Sequence, residues 1–342
     1  MSSDPYRIPS LSEILLTPSN GLTAASTFSG CGGASLGLRW AGFSVPYASE
    51  FIDAAADTYE ANFPETFVDR RDIREVSGAE IVARTGPVDL LEGSPPCSAF
   101  SVAGIRDKGW GEERSYSSTT QRVDDLFGEF LRLASEIEPR AFIAENVAGL
   151  ARGKARGFLR EIVVEGERLG YTMQVWSLDA AFLGVPQRRA RLVIVGTRGD
   201  KEPPLPPDPK PVVTIREAFA EPSRTDDPTT SYQEESFFFK SMLRVPPGKS
   251  LADVTFDKSG HAHHRLSWGE PSPCILQATN SYWPPDEDRS ITLGELRRIC
   301  GFPDDFTLTG TFAQRWERLG RAVAPPMYRA VGERLAEWLS DE

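Results

Sequence analysis

The sequence predicts an α/β protein: a doubly wound, mostly parallel sheet with a smaller irregular region attached. Three observations lead there. From residue 22 to about 197, short apolar runs alternate with helical patterns, the order expected of strand–helix–strand units. The runs themselves are largely apolar, as in strands covered on both faces. At Lys201–Pro211 the stretch KEPPLPPDPKP then places six prolines in eleven residues. It ends the alternation, because proline stiffens the backbone and removes amide donors.

In order, strands are expected at Leu22–Phe28, Val45–Ser49, Val88–Leu91, Ala141–Ala144, Met173–Leu178 and Leu192–Val195. Over Arg122–Ile137, Val123, Leu126, Phe127, Phe130, Leu131, Ala134 and Ile137 recur at helical spacing and define one apolar face. A second helix is expected over Lys154–Leu169, with Phe158, Leu159, Ile162 and Val163 on its apolar side. From the proline-rich stretch to about Asp288 the chain is irregular, with aromatics at Phe237–Phe239, Trp268, Tyr282 and Trp283. Periodicity returns at Ile291–Ile299 and at Val331, Leu335, Trp338 and Leu339, the spacing of a terminal helix.

The 342 residues carry a formal charge of −11, with 40% hydrophobic and 25% charged side chains. That composition excludes a disordered tail, a collagen-like chain and a disulfide scaffold. Cys31, Cys97, Cys274 and Cys300 lie far apart without metal-like spacing, which fits a reducing cytosol. The sequence holds no apolar run of membrane-spanning length, and its N-terminus lacks the apolar core of a signal peptide. Any nucleic-acid site on so acidic a chain has to be a local basic patch.

Candidate chemistry clusters where strands are expected to end, which is where open α/β sheets bind ligands. Phe28-Ser29-Gly30-Cys31-Gly32-Gly33 follows the first strand and opens a helix. Its glycines permit close backbone approach, and the helix start offers free amides. Glu50, one residue past the next strand, suits ribose hydroxyls or a plain solvated strand end; Asp72 suits an adenine amino group or a turn. Cys97, held by Pro95 and Pro96 beyond the strand Val88–Leu91, is a candidate nucleophile, with a buried structural thiol as the alternative. Glu145 emerges from the apolar run AFIA, where desolvation favours its protonated form. In QRRAR, Arg189 and Arg191 fall on one strand face, and their guanidinium groups call for anionic or carbonyl partners.

FSGCGG, a Glu after the second strand, an Asp after the third, PPC, ENV, QRRAR, TLGELRRICGFPDDF and GRAVAPP follow one another in this chain. In that order they resemble the DNA (cytosine-5)-methyltransferases of bacteria and phages, over about residues 22–342. The resemblance implies a Rossmann-like fold that uses S-adenosylmethionine and no metal. It divides the chain into an N-terminal extension (1–20), a catalytic and cofactor-binding domain (21–200), a target-recognition domain (201–290) and C-terminal motifs that return to the catalytic domain (291–342). Cys97 is then the nucleophile toward carbon 6 of cytosine, which makes carbon 5 an enamine carbon able to accept a methyl group. Glu145 is expected to hold ring nitrogen 3 and the exocyclic amine, and Arg191 the ring carbonyl. Arg189 is expected to support Glu145 or the nearby backbone. Cofactor contacts are expected from Phe28, Gly30, Cys31, Gly32, Gly33, Glu50, Phe51, Asp72, Ile73, Pro96, Leu126, Arg321, Ala322 and Val323.

The implied partner is double-stranded DNA, with a cognate restriction endonuclease as a further candidate, no membrane, and a monomeric cytoplasmic enzyme. The target base must be flipped out of the duplex. The loop Val102–Asp125 suits a lid, with Gly104, Gly109 and Gly111 as hinges and Trp110 as a wedge. Base readout is expected among Arg244, Lys249, Lys258, His261, His263, His264 and Arg265. A tRNA cytosine-5 methyltransferase and a non-catalytic DNA-binding homologue are the competing functions.

One position departs from the family: Arg321 stands where Asn is usual, near the methionine end of the cofactor. At about 5 Å and an effective dielectric of about 20, its charge repels a sulfonium by roughly 3 kcal/mol. Three expectations follow. Arg321 turns to solvent or to the cofactor's carboxylate, it impairs binding, or it favours the anionic carboxy-S-adenosylmethionine and so yields 5-carboxymethylcytosine.

Overall fold

The computed structural model of the chain describes residues 6–96, 114–116, 119–121, 126–153, 155–220, 236–255, 260–277 and 282–340. Cys97, Lys258 and the expected lid glycines with Trp110 lie outside the described residues. In chain order the first elements are α1 (Leu11–Leu15), β1 (Thr23–Thr27), α2 (Gly33–Trp40), β2 (Ser44–Ser49), α3 (Asp53–Asn62), β3 (Phe67–Asp69), α4 (Gly78–Thr85) and β4 (Leu90–Gly93). The hairpin β5 (Arg114–Tyr116) and β6 (Thr119–Gln121) precedes α5 (Leu126–Ile137), β7 (Ala141–Val147), α6 (Ala155–Arg168), β8 (Thr172–Asp179) and β9 (Ala190–Thr197). Then come α7 (Ile215–Ala218), α8 (Phe237–Met242), β10 (His264–Arg265), β11 (Tyr282–Trp283), α9 (Leu293–Ile299), α10 (Phe312–Arg321) and α11 (Pro325–Ser340).

Seven strands form one sheet in the order β3-β2-β1-β4-β7-β9-β8. Pairs from β3 to β7 are parallel, whereas β9 runs antiparallel to both β7 and β8. The reversal follows from the connection: β8 reaches β9 through residues 180–189, too short for the crossover that returns a chain in parallel. All six expected strands are present. β3 was not among the expected runs because three residues are too few to show a period.

Both sheet faces are covered, which explains the apolar strands. On one face α2 and α11 pack with Leu38, Val45, Leu90, Ile143, Val193 and Val331. On the other, α4, α5 and α6 pack with Ile81, Leu91, Phe127, Phe130, Phe142 and Ile162. The predicted stripe on α5 is the buried one: Leu126, Phe127, Phe130, Leu131 and Ala134 are all in the core. α11 begins on Pro325 and Pro326, where a missing amide costs no helical bond.

A third core joins α1, α3, α9 and α10 to the irregular region through Ile14, Tyr59, Leu266, Ile275, Tyr282, Leu296 and Trp316. The proline-rich stretch lies along α11: Lys201 Nζ donates to Trp338 O (2.6 Å), and Trp338 Nε1 donates to Glu202 O (2.8 Å). Strand order reverses between β1 and β4, so the crevice beyond their carboxyl ends is the expected ligand position.

Candidate active site

The chain beyond β1 turns sharply. Phe28 has φ +52°, an uncommon conformation for a residue with a side chain, followed by Gly30 at φ +56°. A Cβ built on Gly30 meets nothing within 4 Å, whereas one on Gly33 falls 2.1 Å from Val323 O. The first glycine therefore borders open space, and the second lets α2 dock against the chain before α11.

The open space is a cavity of about 230 Å³. Phe28, Ser29, Gly30, Cys31 and Gly33 line it after β1, Glu50 and Phe51 after β2, Ile73 after β3, and Ser94 and Pro96 after β4. Arg318 and Arg321 close it from α10, with Ala322 and Val323 just beyond that helix. Eleven of the fourteen expected cofactor neighbours thus lie on one wall system. The remaining three do not. Gly32 is the N-cap of α2 and faces Phe63 and Tyr59. Asp72 caps the turn after it and binds Arg74, whose Nη1 lies 3.0 Å from its Oδ2. Leu126 is fully buried in the α5 core.

Glu50 is buried, and its carboxylate accepts from Gly30 N (2.7 Å) and Ile52 N (2.8 Å). Burial pushes its pKa upward, opposed by these amides and by Arg318 and Arg321. Arg321 is about one-third exposed, and its Nη2 lies 2.9 Å from Glu317 Oε1, one helical turn earlier. Arg318 is buried on the same wall with Nη2 3.1 Å from Glu317 Oε2.

Beside the cavity, Glu145 on β7 meets Arg191 on β9, with Arg191 Nε 2.6 Å from Glu145 Oε1. The two arginines that the sequence places on one strand face take different partners. Arg189, just before β9, is buried and donates to Ala322 O (3.0 Å) and Ile275 O (3.4 Å). Of its two expected roles it takes the backbone one, while Arg191 is the partner of Glu145. Asn146, next to Glu145, donates from Nδ2 to Pro95 O (3.1 Å). The end of β7 therefore holds the loop that carries Cys97 two residues later.

Family membership follows from this ordered set. Residues 22–337 match the family of C-5 cytosine-specific DNA methylases. The chain belongs to that family. It is 32% identical to the type II methyltransferase M.PspPI of Psychrobacter sp., over 96% of this chain and 82% of that one. It is 30% identical to M.Eco47II of Escherichia coli, over 94% and 80%. Among solved structures it is similar to a candidate DNA modification methyltransferase encoded within an E. coli prophage. That likeness has a TM-score of 0.74 at 21% identity and covers 94% of this chain and all of the other. It is also similar to the S. pombe Dnmt2 methyltransferase, with a TM-score of 0.59 at 17% identity over 93% and 98%. At these identities the structures speak for the fold alone.

A DNA (cytosine-5)-methyltransferase draws its methyl group from S-adenosylmethionine, and the cavity fits that cofactor. It pairs apolar walls (Phe28, Phe51, Ile73) with a buried carboxylate at Glu50, and Gly30 leaves room that a Cβ would occupy. Burial pushes the thiols of Cys31 and Cys300 up to about 12, so neither is a nucleophile at neutral pH.

Two buried polar side chains near Glu145 carry no separate signal of function in the sequence. Asn146 falls inside the ENV motif. Glu92, the third residue of β4, is 1% exposed and accepts from Ser26 Oγ at 2.6 Å. Burial, with the Glu145 charge adding to it, pushes its carboxyl up to about 8. An acidic residue interrupting the apolar run DLLEG marks its place without assigning it a role. In the irregular region, Arg265 is buried and bound to Asp288 (2.9 Å), and His264 stacks on Tyr282. His263 packs edge-on against Phe238. These three expected readers serve the region's own packing, while Arg244, Lys249 and His261 are exposed.

Proposed function

We propose that this methyltransferase flips a cytosine out of duplex DNA, attacks its carbon 6 with Cys97 and methylates its carbon 5. The Glu145–Arg191 pair beside the cofactor cavity is the observation that carries the reading. It presents a carboxyl group and a guanidinium together: one carboxyl oxygen accepts from the exocyclic amine, the other, when protonated, donates to ring nitrogen 3, and the guanidinium donates to the ring carbonyl of one cytosine.

S-adenosylmethionine, when bound, supplies the methyl group as an electrophile. The chain's residues do the rest. Addition of the Cys97 thiolate drives negative charge into the pyrimidine, which Glu145 offsets by passing its proton to ring nitrogen 3 and Arg191 by its hydrogen bond to the ring carbonyl. Asn146 holds the Pro95 carbonyl and so aims the loop. Loss of the carbon-5 proton to water then expels Cys97 as a thiolate, ring nitrogen 3 returns its proton to Glu145, and the ring is restored. Residues 201–290 recognise the target sequence, with Arg244, Lys249 and His261 available to DNA.

The carboxymethyl alternative has the Arg321 guanidinium meeting the added carboxylate of carboxy-S-adenosylmethionine, and Glu317 already holds that guanidinium at 2.9 Å. Nucleoside mass spectrometry of modified DNA is expected to find 5-methylcytosine alone.

The deciding experiment uses duplex DNA bearing 5-fluorocytosine at the target site, found beforehand by bisulfite sequencing. With cofactor present, a denaturation-resistant adduct to Cys97 is expected and is absent in Cys97→Ala. If no adduct forms on DNA carrying the established target, the covalent mechanism fails. Labelled methyl transfer to tRNA but not to duplex DNA would instead move the substrate to RNA.

A further inference from the structure

The cavity that takes a sulfonium is bordered by three arginines, Arg71, Arg318 and Arg321. Arg71 pairs with Asp69 and Glu80, and the other two share Glu317. Behind Ser29 lies a carboxyl group that the mechanism does not use. Glu92 Oε2 accepts from Ser26 Oγ (2.6 Å), and Ser26 Oγ lies 2.8 Å from Ser29 Oγ. Ser29 is itself on the cavity wall. Glu92 is 1% exposed and Ser26 is fully buried, so a two-hydroxyl chain is the carboxyl group's polar route to the cavity.

Among the described residues, these polar and titratable groups act on Glu92. Ser26 comes from β1, Tyr59 from α3, Glu145 from β7 with its Arg191 partner on β9, and Tyr328 from α11. The buried tyrosines stay neutral in the physiological range because burial raises both. Glu145 opposes ionisation of Glu92. No cation sits on Glu92 among the described residues, so a cation entering the cavity alters its balance.

We propose that Glu92 is a positioning residue for cofactor charge, giving up its proton through the Ser26–Ser29 chain when a sulfonium occupies the cavity and recovering it once that charge is gone. This rests on the cavity being the S-adenosylmethionine site. The proton passes to solvent at the cavity mouth as the carboxyl becomes a carboxylate. Ser29 then donates to Ser26 and Ser26 to Glu92, which solvates the new charge. The starting state suits the exchange, since burial keeps the carboxyl neutral up to about pH 8. S-adenosylhomocysteine lacks the sulfur charge, so ionised Glu92 favours the charged cofactor over its spent form. At roughly 10 Å and an effective dielectric of about 20, one unit charge shifts such an equilibrium on the order of tenfold.

Calorimetry at pH 7.5 in buffers of different ionisation enthalpy tests this on the full chain. Release of roughly half a proton is expected on binding S-adenosylmethionine, the amount that a tenfold shift of a group titrating near pH 8 produces, and almost none with S-adenosylhomocysteine. Glu92→Gln is expected to abolish the difference and to narrow the affinity ratio of the two ligands at pH 9. If release persists in Glu92→Gln, the proton comes from elsewhere, with Glu50 the nearest candidate, and the inference is overturned. If Glu92→Gln does not fold, infrared difference spectra of the wild type decide. Loss of a protonated carboxyl band with S-adenosylmethionine alone supports the proposal, and an unchanged band overturns it. A wild type that binds neither ligand removes the cofactor reading itself, a distinguishable failure.

Discussion

Arg191 Nε lies 2.6 Å from Glu145 Oε1 across two antiparallel strands, although the two residues are not directly paired. In the β7–β9 register Glu145 faces Val193 and Val147 faces Arg191, so the ion pair is a diagonal contact. Both side chains are mostly buried, and removing either leaves a charge without its partner. Arg191→Ala is expected to cost about 3 kcal/mol in denaturant unfolding. It should also slow methyl transfer at least ~100-fold. Arg191→Lys is not expected to restore the rate, because a lysine has no guanidinium fork. A near-wild-type rate in either variant would remove the pair from the mechanism.

Asn146 separates aiming from binding. Asn146→Ala loses the bond to Pro95 O, and Asn146 is not among the residues that line the cavity. Cofactor affinity should stay within about threefold, while turnover falls on the order of 100-fold, the scale of a misplaced reacting group. Equal losses in both would mean that Asn146 only supports the fold. Single-turnover kinetics beside equilibrium binding makes the distinction.

The two glycines of the β1 turn should fail differently. Gly30→Ala meets open space, so its cost is confined to the backbone, about 1–2 kcal/mol at φ +56°. Its cofactor affinity should nevertheless drop. Gly33→Ala drives a methyl group into Val323 O and should lower Tm without cofactor present. Thermal melts with and without S-adenosylhomocysteine read both effects.

These contacts show where the sequence stops being legible. The strands, the α5 face and most of the cavity wall could be read because each depends on local periodicity or on a motif at a strand end. The partner of Glu145 depends on a register 46 residues away in the chain, and alternation on one strand equally allowed Arg189. Arg189 was diverted because Ile275 and Ala322 bring two carbonyls to it from distant segments. The short helices α1 and α7 were legible but unread: Ser10/Glu13 and Thr214/Glu217 are capping boxes, a spacing visible without coordinates.

Glu92 makes stability depend on pH in a defined direction. Its carboxyl titrates near 8 in the fold and near 4.5 when unfolded, so the folded chain holds the proton that the unfolded chain releases. Stability relative to Glu92→Gln is therefore greatest below about pH 4.5 and falls as pH rises through 8, by about 1.4 kcal/mol per pH unit in between. The Tm difference between Glu92→Gln and wild type should move in favour of the variant from pH 5 to 8 and level off above. A constant difference would show that Glu92 is ionised throughout.

Arg321 and Glu317 supply the remaining prediction. If the cavity wall at Arg321 borders the cofactor's methionine end, as the resemblance implies, the arginine's charge is tolerable when already paired, and the 2.9 Å contact pairs it. Glu317→Gln should then weaken S-adenosylmethionine more than S-adenosylhomocysteine, because only the former carries the sulfonium. Since Arg321 is about one-third exposed, screening limits the effect to about three- to tenfold, and less at high salt. Arg321→Asn alone should change little, and the double variant should recover most of what Glu317→Gln loses. Because Glu317 also pairs with Arg318, full recovery is not expected. Identical losses for the two ligands in Glu317→Gln would mean that Arg321 acts on the cofactor through shape rather than charge.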